Sequence, residues 1–277
     1  ETEANGIHYP GTYLAGGYNR LKTNISGHIV ENEDLVNMPS GILLKFRIED
    51  GNWFKLSEAE ILSYRQELDI KQGILTRSVR FRDKQKRDTT FICRRIVSMK
   101  DMHVAAQEVT FVPENWSGAL HVRSALDGTV INAGVARYRK LASKHLTPME
   151  TGIHGDDGVY LVAETNHSRI RIALAQRTNI FVGGKIQKMP RQVFEKPDYT
   201  AHDLVIDAPK DVPVKIEKIF TLYTSRDPAI SEPSLEAREV LSQTTTFSAL
   251  LERHTLAWRH LWERFDIKIA DGPPTQM

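Results

Sequence analysis

The clearest chemistry in this sequence lies close to its start. Tyr9, Tyr13 and Tyr18 are interleaved with Gly11, Gly16 and Gly17, and Asn19 follows directly. Aromatic faces stack on sugar rings and an amide hydrogen-bonds hydroxyls, so the pattern fits a sugar-contacting surface. Glycines that only permit turns at a strand edge would give the same composition. Glu31, Glu33 and Asp34 then place three carboxylates in four residues. Glycoside cleavage needs a carboxylic acid to protonate the leaving oxygen. Exposed acids in a polar loop are the plainer reading. Asp156 and Asp157, between His154-Gly155 and Gly158, offer oxygens to a cation but lack EF-hand spacing, and a tight turn is expected there. His254 and His260 are too far apart to share a helix face, and no cysteine joins them, so no metal site is expected. The sequence has no Gly-x-Ser-x-Gly elbow, no phosphate-binding Walker loop and no dinucleotide fingerprint.

These residues sit in a chain of 277 residues with 37 basic and 35 acidic side chains, a formal charge of +2. That balance argues against a nucleic-acid partner. The basic run Lys84-Gln85-Lys86-Arg87 reads as a solvated hairpin tip. Cys93 is the one cysteine, so neither an internal disulfide nor a cysteine-rich zinc site can form, and a buried thiol is expected. No stretch approaches the roughly 20 apolar residues of a membrane helix, and no membrane partner is expected. Asn24, Asn115 and Asn166 head Asn-x-Ser sequons. No secretory signal opens the sequence, so they read as chance occurrences in a reducing, cytoplasmic setting.

The elements that must hold the candidate residues are mostly strands. Ile42–Ile48 ends at Glu49-Asp50-Gly51-Asn52, a hairpin-type turn, with Trp53–Leu56 as the returning strand. Glu67–Lys71, Ile74–Arg82, Phe91–Val97, Val104–Val112 and Leu120–Leu126 follow, then Val159–Thr165, Arg169–Gln176 and Val214–Tyr223. Period-2 alternation and about a dozen strands at roughly ten-residue spacing predict a mainly β, large antiparallel sandwich. After Pro233, with Ser234 as N-cap, Leu235–Leu241 is expected to be a short helix. Trp258, Leu261, Trp262 and Phe265 are spaced i, i+3, i+4, i+7, one stripe of a second helix. Such a stripe needs something large to pack on.

Three stretches together resemble glycoside hydrolase family 65, the maltose, trehalose and kojibiose phosphorylases and related hydrolases. They are Pro10–Asn19, Glu33–Pro39 and His254–Ile267. The resemblance implies a galactose-mutarotase-like super-β-sandwich over 1–226. A helical linker over 227–277 would lead into an α/α barrel that lies outside this chain. It implies that the parent enzyme cleaves α-glucosidic disaccharides with inversion, by phosphorolysis or hydrolysis. Inorganic phosphate would be the co-substrate and no cofactor is expected. The family's catalytic glutamate and phosphate site belong to the barrel, so no catalytic residue maps here, and the chain alone is expected to be inactive. The Gly-Asn-Gly and Arg-Gly segments of family members would precede Glu1, so the chain is expected to be cut at both ends. A disaccharide, the chain's own barrel and a second copy in a homodimer are the expected partners. Tyr13, Tyr18, Asn19, Glu33 and Asp34 are the residues expected to border the substrate. Two alternatives stand beside this one: a free-standing carbohydrate-binding sandwich, and an aldose-epimerase-like enzyme with a His–carboxylate pair in a cleft. A self-sufficient module should not end in an uncovered tryptophan stripe. Trp258 and Trp262 are therefore expected to be partly exposed.

Overall fold

A computed structural model describes residues 10–133 and 139–266. Tyr9 and the end of the third stretch, Ile267, lie outside the described residues.

Most strands group into two facing antiparallel sheets. The larger holds β4 (Glu60–Asp69), β5 (Ile74–Arg82), β6 (Asp88–Val97), β7 (Val104–Pro113), β15 (Val214–Thr224), β11 (Arg171–Val182), β10 (Gly158–Thr165) and β9 (Leu146–His154), in that spatial order. Short β12 (Lys185–Gln187) pairs with β11. The smaller sheet runs β13 (Gln192–Lys196), β14 (Tyr199–Ala208), β8 (Gly118–Asp127) and β3 (Leu44–Ile48). Alternation decides what faces inward. Val79, Phe81, Cys93, Val109, Phe111 and Ile216 of the large sheet meet Phe46, Ile48, Leu120, Val122, Leu204 and Ile206 of the small one. Each such large side chain contributes about 1.5–3 kcal/mol by leaving water. Cys93 is free and buried, an apolar filler.

The opposite face of the large sheet carries the helices. Ile96, Val104, Ala106, Ile219 and Tyr223 pack against Ala237 and Leu241 of α1 (Pro233–Gln243) and Phe247 and Leu250 of α2 (Phe247–Arg264). The α1 cap differs from expectation. Glu232 is the N-cap, accepting from the Leu235 N–H at 2.8 Å, and Ser234 lies inside the first turn behind Pro233. Proline fits there because its missing N–H would have no helical partner.

Two other expectations change. Trp53–Leu56 is not a returning strand; the Phe54 N–H reaches back to the Phe46 carbonyl. The Phe54 ring stacks on Phe46 at 4.7 Å and lies 4.4 Å from Phe81, so burial folds the segment across the sandwich mouth. Glu31, Glu33 and Asp34 lie in a strand, not a loop. β1 (Tyr18–Ile25) and β2 (His28–Leu35) form a two-stranded ribbon outside both sheets, turning at Ser26-Gly27 with φ of 53° and 88°. At 154–158 the structure has the expected tight turn, with Gly155 at φ 64°.

Candidate functional site

The ribbon divides the candidate residues. Opposite positions of an antiparallel pair share a face, and neighbours along a strand do not. Arg20 pairs with Glu33 and Asn19 with Asp34. Glu33 and Asp34 therefore point to opposite sides and cannot serve one bound sugar together. Glu33 Oε2 accepts from Arg20 Nε at 2.6 Å in water, and Glu31 lies 3.8 Å from the same guanidinium. Tyr18 is about half exposed on that face.

Asn19 changes role altogether. Its side chain is 1% exposed and fully used. Oδ1 accepts from the backbone N–H of His167 at 3.1 Å and of Ser168 at 2.8 Å. Nδ2 donates to Asn166 Oδ1 at 2.9 Å and meets His145 Nδ1 at 3.0 Å. The two backbone donors fix the amide orientation, so His145 Nδ1 is an acceptor and Nε2 carries the proton. That Nε2 lies 3.6 Å from Asp34 Oδ2, across a gap too long for a hydrogen bond. Burial pushes the His145 pKa down, and the Asp34 charge opposes it. Asn19 thus anchors the ribbon to the body and has no group left for a ligand.

The glycine-rich segment is likewise explained by packing. A Cβ on Gly11 would sit 2.3 Å from Asn37 Oδ1, and one on Gly17 would sit 2.4 Å from Met38 Cε. Asn37 Oδ1 accepts from the Thr12 N–H, and the Met38 N–H bonds the Thr12 carbonyl. The first two marker stretches are two sides of one contact.

Beyond that contact Tyr13, 39% exposed, borders a cleft of about 710 Å³. Ile42, Leu68, Ile70, Met102 and Trp258 make the walls apolar. Besides Thr12 and Tyr13, two histidines and an arginine reach it. His254 is buried and spent: Nδ1 accepts from the Met99 N–H at 3.0 Å and Nε2 donates to the Gly73 carbonyl at 3.2 Å. Burial holds its pKa below the usual histidine value. His103 stacks on Tyr223 at 3.9 Å, donates Nδ1–H to the Leu222 carbonyl, and has Nε2 3.8 Å from Asp227. The other Asp227 oxygen accepts from the Thr224 N–H at 2.6 Å. Arg95, half-buried, also lines a second opening of about 400 Å³ between the sheets, walled by Trp53, Phe54 and Phe91. Among the described residues no three or more His, Cys, Asp or Glu converge so as to hold a metal ion. No helix among them is long and apolar enough to cross a membrane.

The cleft's helical wall depends on one glycine. Gly73, at φ 65°, ends the β4–β5 turn, and an added Cβ would lie 2.2 Å from Trp258 Nε1 and 2.9 Å from His254 Nε2. Gly73→Ala combines left-handed strain with overpacking and should cost about 2–4 kcal/mol. Gly27→Ala is the control: its φ is 88° with nothing within 4 Å, so it should lose only about 1 kcal/mol. Urea unfolding of both variants checks this. Equal losses would mean that α2 yields freely.

The α2 stripe is open as expected. Trp258 and Trp262 are each half-buried and stack at 6.4 Å, and among the described residues neither indole N–H has a partner. Phe265 is 75% exposed.

Comparison with known proteins follows the same lines. The family model described as "Glycosyl hydrolase family 65, N-terminal domain" matches residues 1–261. An uncharacterized glycosyl hydrolase of Mycobacterium tuberculosis (strain ATCC 25618 / H37Rv) is 39% identical over 270 residues, covering 98% of this chain and 20% of that protein. A trehalose 6-phosphate phosphorylase of Lactococcus lactis subsp. lactis is 30% identical, covering 95% and 32%. A solved structure, a putative kojibiose phosphorylase from human microbiome, superposes with a TM-score of 0.75 at 16% identity, covering 91% of this chain and 32% of that one.

Proposed function

The chain belongs to glycosyl hydrolase family 65 as its N-terminal domain, and from that premise we propose that it is the non-catalytic scaffold of an enzyme that cleaves α-glucosidic disaccharides with inversion. It spans 20–34% of the length of curated relatives such as the mycobacterial hydrolase and the kojibiose phosphorylase of Thermoanaerobacter brockii. The reaction would belong to the remainder of the polypeptide. There a carboxylic acid protonates the glycosidic oxygen while phosphate, or water activated by a second carboxylate, attacks the opposite face of the sugar. Inorganic phosphate is a co-substrate in this reading and no cofactor takes part. An α/α barrel, a second copy and a cytoplasmic setting complete it.

One observation carries the proposal. The open stripe of Trp258, Leu261, Trp262 and Phe265 adjoins the apolar cleft, and both indole N–H groups lack partners among the described residues. Buried polar groups are normally paired and large apolar patches are normally covered. A catalytic domain of the same polypeptide would supply both. A carbohydrate-binding module gives no reason for this face. The epimerase reading would rest on His103 and Asp227, whose ring and carboxylate are already tied to the backbone. Tyr13 lines the apolar cleft while Tyr18, Glu33 and Asp34 stand on the ribbon, which supports a reading with Tyr13 nearest the substrate.

The test is phosphate-dependent release of glucose from maltose, trehalose and kojibiose. This chain should give none. Turnover by the chain alone overturns the proposal, as does a reading frame that stops at residue 277.

A further inference from the structure

The inner face of the large sheet carries one polar row between its apolar residues. Arg95, Gln107, Lys218 and Thr178 stand directly opposite one another on β6, β7, β15 and β11. Cross-strand partners share a face, so all four point toward the small sheet. Three of them find a partner there. Gln107 Nε2 donates to the Ile42 carbonyl at 2.9 Å, Lys218 Nζ to the Leu43 and Ala125 carbonyls at 2.7 Å, and the Thr178 hydroxyl meets that of Ser124 at 2.8 Å. Arg95 is the fourth. It is half-buried, and among the described residues its guanidinium has no hydrogen-bond or ion-pair partner. The difference is positional. The small sheet ends at β3, while the large one continues through β6, β5 and β4. Arg95 therefore faces the opening of about 400 Å³ rather than a backbone acceptor.

That opening has the composition of a ligand site. Val79, Phe91, Cys93 and Val109 of the large sheet line one side, and Phe46 and Phe54 face them. Its volume lies within the ordinary range of small-molecule pockets, about 300–1,000 Å³. Lys45, Lys55, Arg77 and Arg95 also line it, and among the described residues no Asp or Glu does. Lys55 is held by Glu58 and Arg77 by Gln66, and Lys45 is exposed. Arg95 is thus the cation left to the recess. A guanidinium between apolar walls bonds most strongly to a charged acceptor. Water would serve the guanidinium but not the half-buried rings of Phe54 and Phe91, which gain from an apolar body.

We propose that the opening between the sheets binds an amphiphilic anion, its carboxylate on Arg95 and its apolar chain among Phe46, Phe54 and Phe91. The carboxylate does for Arg95 what the Ile42 and Leu43 carbonyls do for Gln107 and Lys218. The chain fills the space beyond β3, where the large sheet has no strand opposite it. Arg95 and Ile42 also line the Trp258 cleft, but Cys93 and the three phenylalanines belong to this opening alone. The assignment does not depend on the disaccharide reading.

Decanoate and decanol are the probes, because they share a chain and differ in charge. Titration calorimetry should show saturable binding of decanoate, with decanol roughly tenfold weaker. Arg95→Met should erase that preference and leave decanol binding unchanged, and Arg95→Lys should keep part of it. Cys93 gives a second readout, since it is the one cysteine and lines this opening but not the Trp258 cleft. Bound decanoate should slow its alkylation by N-ethylmaleimide severalfold, and Arg95→Met should remove that protection at the same decanoate concentration. Circular dichroism reports whether the variants fold. The parent's preference for decanoate and its Cys93 protection test the site even where Arg95→Met does not. A chain that binds neither probe, equal affinity for the two, or decanoate binding unchanged in Arg95→Met would each overturn the assignment. So would binding that leaves Cys93 unprotected, which would put the ligand elsewhere.

Discussion

Asn19→Ala should destabilise the chain by about 3 kcal/mol, while Tyr18→Phe beside it should change stability by less than about 0.5 kcal/mol. The contrast follows from burial and partners. Removing the Asn19 amide strands two backbone N–H groups, those of His167 and Ser168, together with Asn166 Oδ1 and His145 Nδ1. A buried group left unsatisfied costs about 1–3 kcal/mol, and water entering beside the half-exposed loop offsets part of the total. Tyr18 is exposed and loses only a solvated hydroxyl. The wild-type anchor should also weaken in acid. His145 is neutral when folded with its pKa lowered, so the unfolded chain takes up the proton first. Stability from this site is full above the ordinary value of 6.5 and is lost as pH falls through the lower folded value. Urea midpoints at pH 7 and pH 5.5 read both effects. If Asn19→Ala and Tyr18→Phe are equally mild, Asn19 is not the anchor, and a ligand-facing role returns.

That result would also explain why the start of the chain misleads when read as a sequence. A buried asparagine and an exposed one are the same letter, and Asn19 gains its partners from residues some 126–149 positions away. The ribbon is hidden for a related reason. Its strands lack an apolar face, and cross-strand ion pairs of Arg20 with Glu33 and Lys22 with Glu31 line one side. Periodicity reports burial, so strands without burial look like loop. By contrast Ile74–Arg82 and Val214–Tyr223 alternate because one face is core, and both form strands where the pattern places them. β14 was legible but unread: His202, Leu204 and Ile206 alternate inward while Asp203, Val205 and Asp207 do not. Trp53–Leu56 shows the opposite error. Its aromatics resemble a strand, but aromatic stacking on Phe46 and Phe81 bends the backbone away from pairing. The α2 stripe was fully legible, since helical spacing survives without knowing what covers it.

Lys218 carries the second large expectation, and it concerns the backbone between the two clefts. The alternation of β15 sets Lys218 on the face of Ile216 and Phe220, with Gln107 and Thr178 beside it on the neighbouring strands. It is fully buried, and among the described residues no carboxylate pairs with it. Nζ donates to the Leu43 and Ala125 carbonyls, each at 2.7 Å. A neutral amine has two N–H groups, and both are used. Burial accordingly drives the Lys218 pKa well below its ordinary value of 10.5. Between those two values the unfolded chain holds one proton that the folded chain lacks. Stability from this group is therefore complete above 10.5 and falls with decreasing pH, by about 1.4 kcal/mol per unit within that window. Lys218→Met removes the titration but leaves the Ala125 carbonyl without this donor. The variant should be less stable than the parent above pH 10.5 and gain on it as the pH falls below that value. Urea unfolding across that range measures the difference. A gap that stays constant with pH would show that Lys218 is folded in its charged form. The consequence reaches the cleft because Gln107 holds the Ile42 carbonyl at 2.9 Å while Lys218 holds the next one. Ile42 lines both openings, so two buried polar side chains set the wall that divides them.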